Sequence, residues 1–126
     1  MNQEHPAHVA CLHLPDGVAH ATFPLGRFDG VAVRELFELS NRLPPARGDG
    51  GGDGPRLLID TTGVAFVPSG GMGMLLTIRK RFLAGGGQLH VALPDPGLMR
   101  SFRVANLHRL LDLFETVEQA RDAFRR

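Results

Sequence analysis

Apolar residues space themselves in two ways along this chain. His8 to Leu14 and Val18 to Leu25 are short apolar-rich runs, and between them stands Pro15-Asp16-Gly17. Proline pre-sets φ, aspartate bonds its own backbone and glycine tolerates positive φ, so the trio favours a tight turn. A β-hairpin is expected. From Asp29 the spacing lengthens, with Ala32, Leu36, Leu39 and Leu43 three or four residues apart. That spacing predicts a first helix, capped by Asp29 and stopped by Pro44-Pro45. The following stretch, Pro44 to Pro55, is nearly all Pro, Gly and Asp. It can bury little and reads as a flexible connector.

Leu57-Leu58-Ile59 is a continuous apolar run ending at Asp60, the pattern of a strand covered on both faces, and predicts the central strand. After Thr61-Thr62-Gly63 and a second apolar patch, Val64 to Val67, a helix is expected from near Ser69 to about Leu83. Met72, Leu75, Ile78 and Phe82 lie on one side of it, and Gly85-Gly86-Gly87 ends it. Gln88 to Leu93 then reads as a strand, and so short a strand-helix-strand unit implies a right-handed parallel crossover. A third helix is expected after Pro94-Asp95-Pro96, with Leu98, Phe102 and Ala105 as its apolar stripe. Leu110 to Phe114 reads as a short strand or turn, and a fourth helix as spanning Val117 to Phe124. The order predicts an α/β fold: a mixed sheet of about four to five strands with about four helices.

Length and composition narrow the function classes. At 126 residues the chain reads as one domain, residues 1–126, able to bury a core without disulfide or metal staples. Hydrophobic residues at 43% and charged ones at 21% are ordinary globular values. No apolar run approaches the roughly 20 residues of a membrane span, and the first residues lack a basic region followed by an apolar core. A cytoplasmic protein without direct membrane insertion is expected. The net charge of +1, with Lys and Arg scattered, gives no electrostatic reason to expect nucleic acid. The absence of Trp and Tyr leaves stacking platforms poorly supplied. The single cysteine, Cys11, excludes an internal disulfide.

Candidate chemistry is sparse. The six histidines follow no metal-ligand spacing, and Asp29, Asp60 and Asp95 are each explicable as caps or strand-end turn residues. Ser69 lacks the Gly-x-Ser-x-Gly elbow, because Val67 stands where the first glycine belongs. The connector glycines lack the strand-to-helix context and the lysine of a phosphate loop. No enzyme signature, catalytic residue, metal or cofactor is expected. What remains is Ser69 at a helix start beside Gly70, Gly71 and Gly73. Its hydroxyl could cap the helix, contributing about 1 kcal/mol. Equally, exposed amides at a helix start favour an anion, so a phosphate there, adding roughly −1.5 to −2 charge, would be stabilised locally. Glycines 70 and 71 would leave room for a partner's backbone.

The segment LLIDTTGVAFVPSGGMGMLL resembles the STAS domain family of bacterial anti-sigma factor antagonists, whose pattern is a strand, a short apolar step, then Asp-Ser-Ser/Thr-Gly-Leu-Gly opening a helix. Gly71 and Gly73 match its glycines, and Met72 replaces its leucine. PLGRFDGVAVREL resembles the family's Gly-x-Leu-Asp before helix one, and AGGGQLHVALPDPGLMRSFRVANLHRLLDLFETVEQA its closing half. The resemblance covers nearly the whole chain. It implies that Ser69 is the serine phosphorylated by an anti-sigma factor serine kinase, and that Gly26, Phe28, Asp29, Pro68, Ser69, Gly70, Gly71 and Met72 form the partner-binding surface. It further implies a cycle in which the unphosphorylated antagonist binds the kinase and frees the sigma factor, phosphorylation ends that binding, and a phosphatase resets it. Two positions depart from the pattern: Pro68 stands where the family has an acid, and Gly70 where it has a second Ser/Thr. Those departures keep a second assignment open, a non-phosphorylated STAS subunit of a lipid-transport ABC complex or a stressosome-like scaffold. Oligomeric state, a homodimer included, is left open.

Overall fold

The hairpin forms as its turn chemistry requires. In the computed structural model, which describes residues 7–44 and 54–125, β1 (Ala10–His13) pairs antiparallel with β2 (Val18–Thr22). Asp16 Oδ1 accepts from the Val18 amide at 3.2 Å, and Gly17 takes a φ of 88° that disfavours any side chain. β2 then pairs parallel with β3 (Arg56–Asp60), β3 with β4 (Gln88–Ala92), and β4 with β5 (Asp112–Phe114). The sheet is mixed, five strands in sequence order, with β3 at its centre.

Among the described residues four α-helices complete the fold: α1 (Gly30–Arg42), α2 (Ser69–Ala84), α3 (Pro96–Val104) and α4 (Val117–Asp122). Asp29 caps α1 by accepting from the Ala32 amide at 3.0 Å, and Asp95 caps α3 through Leu98 at 2.9 Å. Alternation along the strands divides the core into two layers. Ala19, Ala21, Leu57, Ile59, Leu89 and Val91 lie in one cluster with Leu36 of α1, Leu75 and Ile78 of α2, and Phe102 of α3. Val18, Leu58 and Ala92 face the other way, against Ala120 of α4 and Phe124. His90 joins that smaller layer, stacked on Phe124 at 3.7 Å, its Nδ1 hydrogen-bonded to the Ala120 carbonyl at 2.7 Å.

Two expectations need correction or relocation. Ala105 is exposed and follows α3, whose buried stripe is Leu98, Met99 and Phe102. The helix stops early because Asn106 turns left-handed, φ 63°, with no glycine to announce it. Of the expected connector 44–55, residues 45–53 lie outside the described residues. Because β2 to β5 run parallel, the loops leaving them all emerge at one end of the sheet, the end where open α/β folds gather their functional residues.

Candidate functional site

The loop from β3 to α2 is fixed at its start and open at its crest. Asp60 Oδ1 accepts from the Thr62 amide at 2.9 Å and its hydroxyl at 2.6 Å, while Oδ2 lies 2.9 Å from His20 Nε2. Burial works against the ionised carboxyl, but the Thr62 donors and then His20 outweigh it and hold the Asp60 pKa below the usual carboxylate range. Thr61 donates through both hydroxyl and amide to the Ala92 carbonyl, at 2.8 and 3.2 Å, and so ties this loop to the exit of β4. Beyond it Val64 and Val67 turn into the core, whereas Ala65 and Phe66 point out, Phe66 being 71% exposed.

Ser69 does not cap the helix it opens. The N-cap position belongs to Pro68, extended at φ −67° and ψ 162°, and among the described residues no side chain caps the first turn. The Gly71 and Met72 amides donate to the Pro68 carbonyl at 2.9 and 3.1 Å. Ser69 is the first helical residue, exposed, and among the described residues its hydroxyl has no hydrogen-bond partner. The amides of Ser69 and Gly70 precede any intrahelical acceptor, as at every helix start. Around Gly70 there is open space among the described residues, since a Cβ there would meet none of their atoms within 4 Å.

Gly71 differs. A Cβ at Gly71 would sit 2.9 Å from two ring carbons of Phe28 and 3.0 Å from Val67, so this glycine admits the chain's own aromatic ring rather than a partner's backbone. Phe28 is 2% exposed and packs on Phe23, ring centroids 4.7 Å apart. Two of the positions that the resemblance assigns to a binding surface, Phe28 and Gly71, are buried, and Phe28 reaches the rim as part of a groove wall. Met72 is half-buried. Gly26, at φ 68°, passes so close to the β3–α2 loop that a Cβ would lie 3.1 Å from the Gly63 carbonyl oxygen. The two loops therefore meet, and between them runs a groove of about 340 Å³ lined by Gly26, Arg27, Phe28, Asp29, Ala65, Phe66 and Pro68.

Asp29 is the carboxylate on this rim. The Ala32 amide, with help from His8 at 3.5 Å and Arg27 at 3.8 Å, draws its pKa below the usual range. Glu35 Oε1 accepts from the amides of His8 and Val9 at 3.1 and 3.0 Å, which pins the approach to β1 against α1. Sequence reading missed Arg27, Ala65 and Phe66. The available signal was an aromatic residue between two inward valines and a proline. Among the described residues no three His, Cys, Asp or Glu gather as a metal-holding group, and no helix is long and apolar enough to cross a membrane. The arrangement offers an uncommitted hydroxyl at the positive end of a helix, beside a largely apolar groove.

A family model of the STAS domain matches residues 28–120, from the groove through Ser69 to α4. The chain belongs to the STAS domain family. Solved structures of anti-sigma factor antagonists carry the same fold. A STAS-domain anti-sigma-factor antagonist protein from Planctomyces limnophilus aligns with a TM-score of 0.75 and 19% identity, over 95% of this chain and 100% of that one. An anti-sigma factor antagonist from Mycobacterium paratuberculosis aligns with a TM-score of 0.69 and 22% identity, over 94% and 95%. No curated protein sequence matches this STAS domain.

Proposed function

We propose that this STAS domain is an anti-sigma factor antagonist, acting in the cytoplasm, that binds an anti-sigma factor serine kinase and is switched off when that kinase phosphorylates Ser69. The observation that carries the reading is the Ser69 hydroxyl: exposed, uncapped and first in a 16-residue helix. Both similar structures named above are of anti-sigma factor antagonists, which supports the partner class. Gly26, Asp29, Pro68, Ser69 and Gly70 would form the kinase-facing rim, with Phe66 as its apolar anchor. A phosphate on Ser69 would lie among free helix amides and place roughly two negative charges on that rim, ending a contact built for a neutral hydroxyl. Pro68 brings no carboxylate, so Asp29 is the acid available at the rim. A phosphatase would restore the hydroxyl.

Incubation with the cognate kinase and ATP, read by mass spectrometry, should add one phosphate that Ser69→Ala abolishes; a wild-type chain that stays phosphate-free refutes the switch. Calorimetry should find kinase binding weakened by Ser69→Asp, and equal affinity would count against the charge mechanism. The Pro68 substitution favours one other reading, a STAS subunit of a lipid-transport ABC complex or stressosome-like scaffold. Neighbouring permease and ATPase genes, in place of kinase and sigma factor genes, would select it.

A further inference from the structure

The second end-of-sheet groove lies beside α3, outside the rim described above. Between Asp95 and Asp112 the chain has no acidic residue, yet it carries Arg100, Arg103, His108 and Arg109. On α3 the spacing i, i+3, i+4 sets Arg100, Arg103 and Val104 on one face, opposite the buried Leu98 and Phe102. Val104 is 78% exposed, and Leu110 just beyond is 50% exposed. Among the described residues no carboxylate lies within ion-pair distance of Arg100, Arg103 or Arg109. Beside this face runs a groove of about 280 Å³ whose lining includes Pro94, Pro96, Met99, Arg100, Arg103 and, as its one acid, Glu115.

We propose that this face of α3 and its groove receive an acidic segment of the same protein partner that engages Ser69, with carboxylates on Arg100 and Arg103, one apolar side chain over Pro94 and Pro96 and a second over Val104. The inference rests on the kinase-binding reading and extends it. Two like charges at i, i+3 repel on a free surface, and an incoming carboxylate relieves that repulsion while matching the guanidinium fork in two hydrogen bonds. Glu115, on the same groove, orients the incoming acid towards the α3 side. α2 follows the end of β3 and α3 the end of β4, and the bonds from Thr61 to the Ala92 carbonyl join those two exits, so one partner surface can span both. The net charge of +1 and the absence of an aromatic residue from the exposed face of α3 favour a protein segment over a nucleic acid.

The test measures association of the Ser69-phosphorylating kinase with the wild type, with Arg100→Glu/Arg103→Glu, and with Arg42→Glu/Lys80→Glu. The last pair makes the same charge change late in α1 and α2, at the other end of the sheet. The α3 variant should associate about tenfold more slowly at low salt, with the gap closing as salt rises; the control pair should follow the wild type. Val104→Ser should weaken binding at every salt concentration alike. Circular dichroism, and Ser69 phosphorylation at saturating kinase, establish that the variants fold. Equal rates for the α3 variant and wild type overturn this proposal and leave the kinase reading intact, whereas a kinase that neither binds nor phosphorylates the wild type overturns both. Unchanged kinase binding joined to Arg100- and Arg103-dependent sedimentation with phosphatidylglycerol vesicles would make the face a lipid contact, and would also overturn it.

Discussion

Replacing Gly71 by alanine separates a packing role from a propensity role. The added Cβ would meet the Phe28 ring at 2.9 Å and Val67 at 3.0 Å. Neither can yield easily, because Phe28 is 2% exposed, is held against Phe23 at 4.7 Å, and Val67 is likewise buried. Overpacking of this kind costs about 1–3 kcal/mol. Against it stands the gain of replacing a helical glycine, about 0.5–1 kcal/mol. Gly73 provides the reference, since it shares the helix and a Cβ there meets none of the described residues within 4 Å. Gly73→Ala should therefore keep the gain alone, and the difference between the variants isolates the contact at about 2 kcal/mol. For a chain of this size that corresponds to a melting-temperature gap of about 8 °C, measurable by differential scanning calorimetry or by urea midpoints at equal m-value. If Gly71→Ala melts with Gly73→Ala, the seating of α2 on Phe28 is wrong.

Three further outcomes follow from the same geometry. Ser69→Ala should change stability by less than about 0.5 kcal/mol in urea titration, because no capping bond is lost; a drop near 1 kcal/mol would restore the serine to the cap. Asp60→Asn should destabilise by at least about 1 kcal/mol at neutral pH by weakening charge-assisted bonds to Thr62 and His20. The folded pKa of Asp60 is depressed, so its contribution is present above the unfolded value of about 3.9 and disappears as pH falls through the folded value; wild type and variant should converge in acid. His90 is pushed down chiefly by burial, with the Ala120 carbonyl and Asp112 only partly opposing. Its neutral ring stabilises the fold above about pH 6.5, and that stability is lost as pH drops below. Urea midpoints between pH 7 and 5 should fall less steeply in His90→Gln, and an identical slope would show that this ring does not titrate with unfolding.

Local chemistry carried most of the fold into the sequence. Asp16-Gly17, Asp29 and Asp95 act through bonds to backbone groups no more than three residues away, so a turn and two helix starts can be read without tertiary knowledge. The run Leu57 to Ile59 declares a doubly covered strand because both layers need it apolar. Ser69 shows the limit. A serine one position before a helix and one inside it look alike in sequence; the extended backbone of Pro68 decides between them. The burial of Phe28 depends on the bare backbone of Gly71, across 43 residues, which is Gly71 less Phe28, and no periodicity records such a pairing. His20 and Asp60 meet only because parallel β2 and β3 bring their rows into register. Asn106 ends α3 in a conformation that sequence statistics reserve mainly for glycine.

The outward position of Phe66 has an optical consequence. With neither Trp nor Tyr in the chain, the protein is nearly dark above 280 nm, and Phe66→Trp would install a lone indole at the lip of the groove. Its emission, red-shifted by water in the free protein, would turn bluer under any body that covers that lip, giving a label-free clock for arrival and departure.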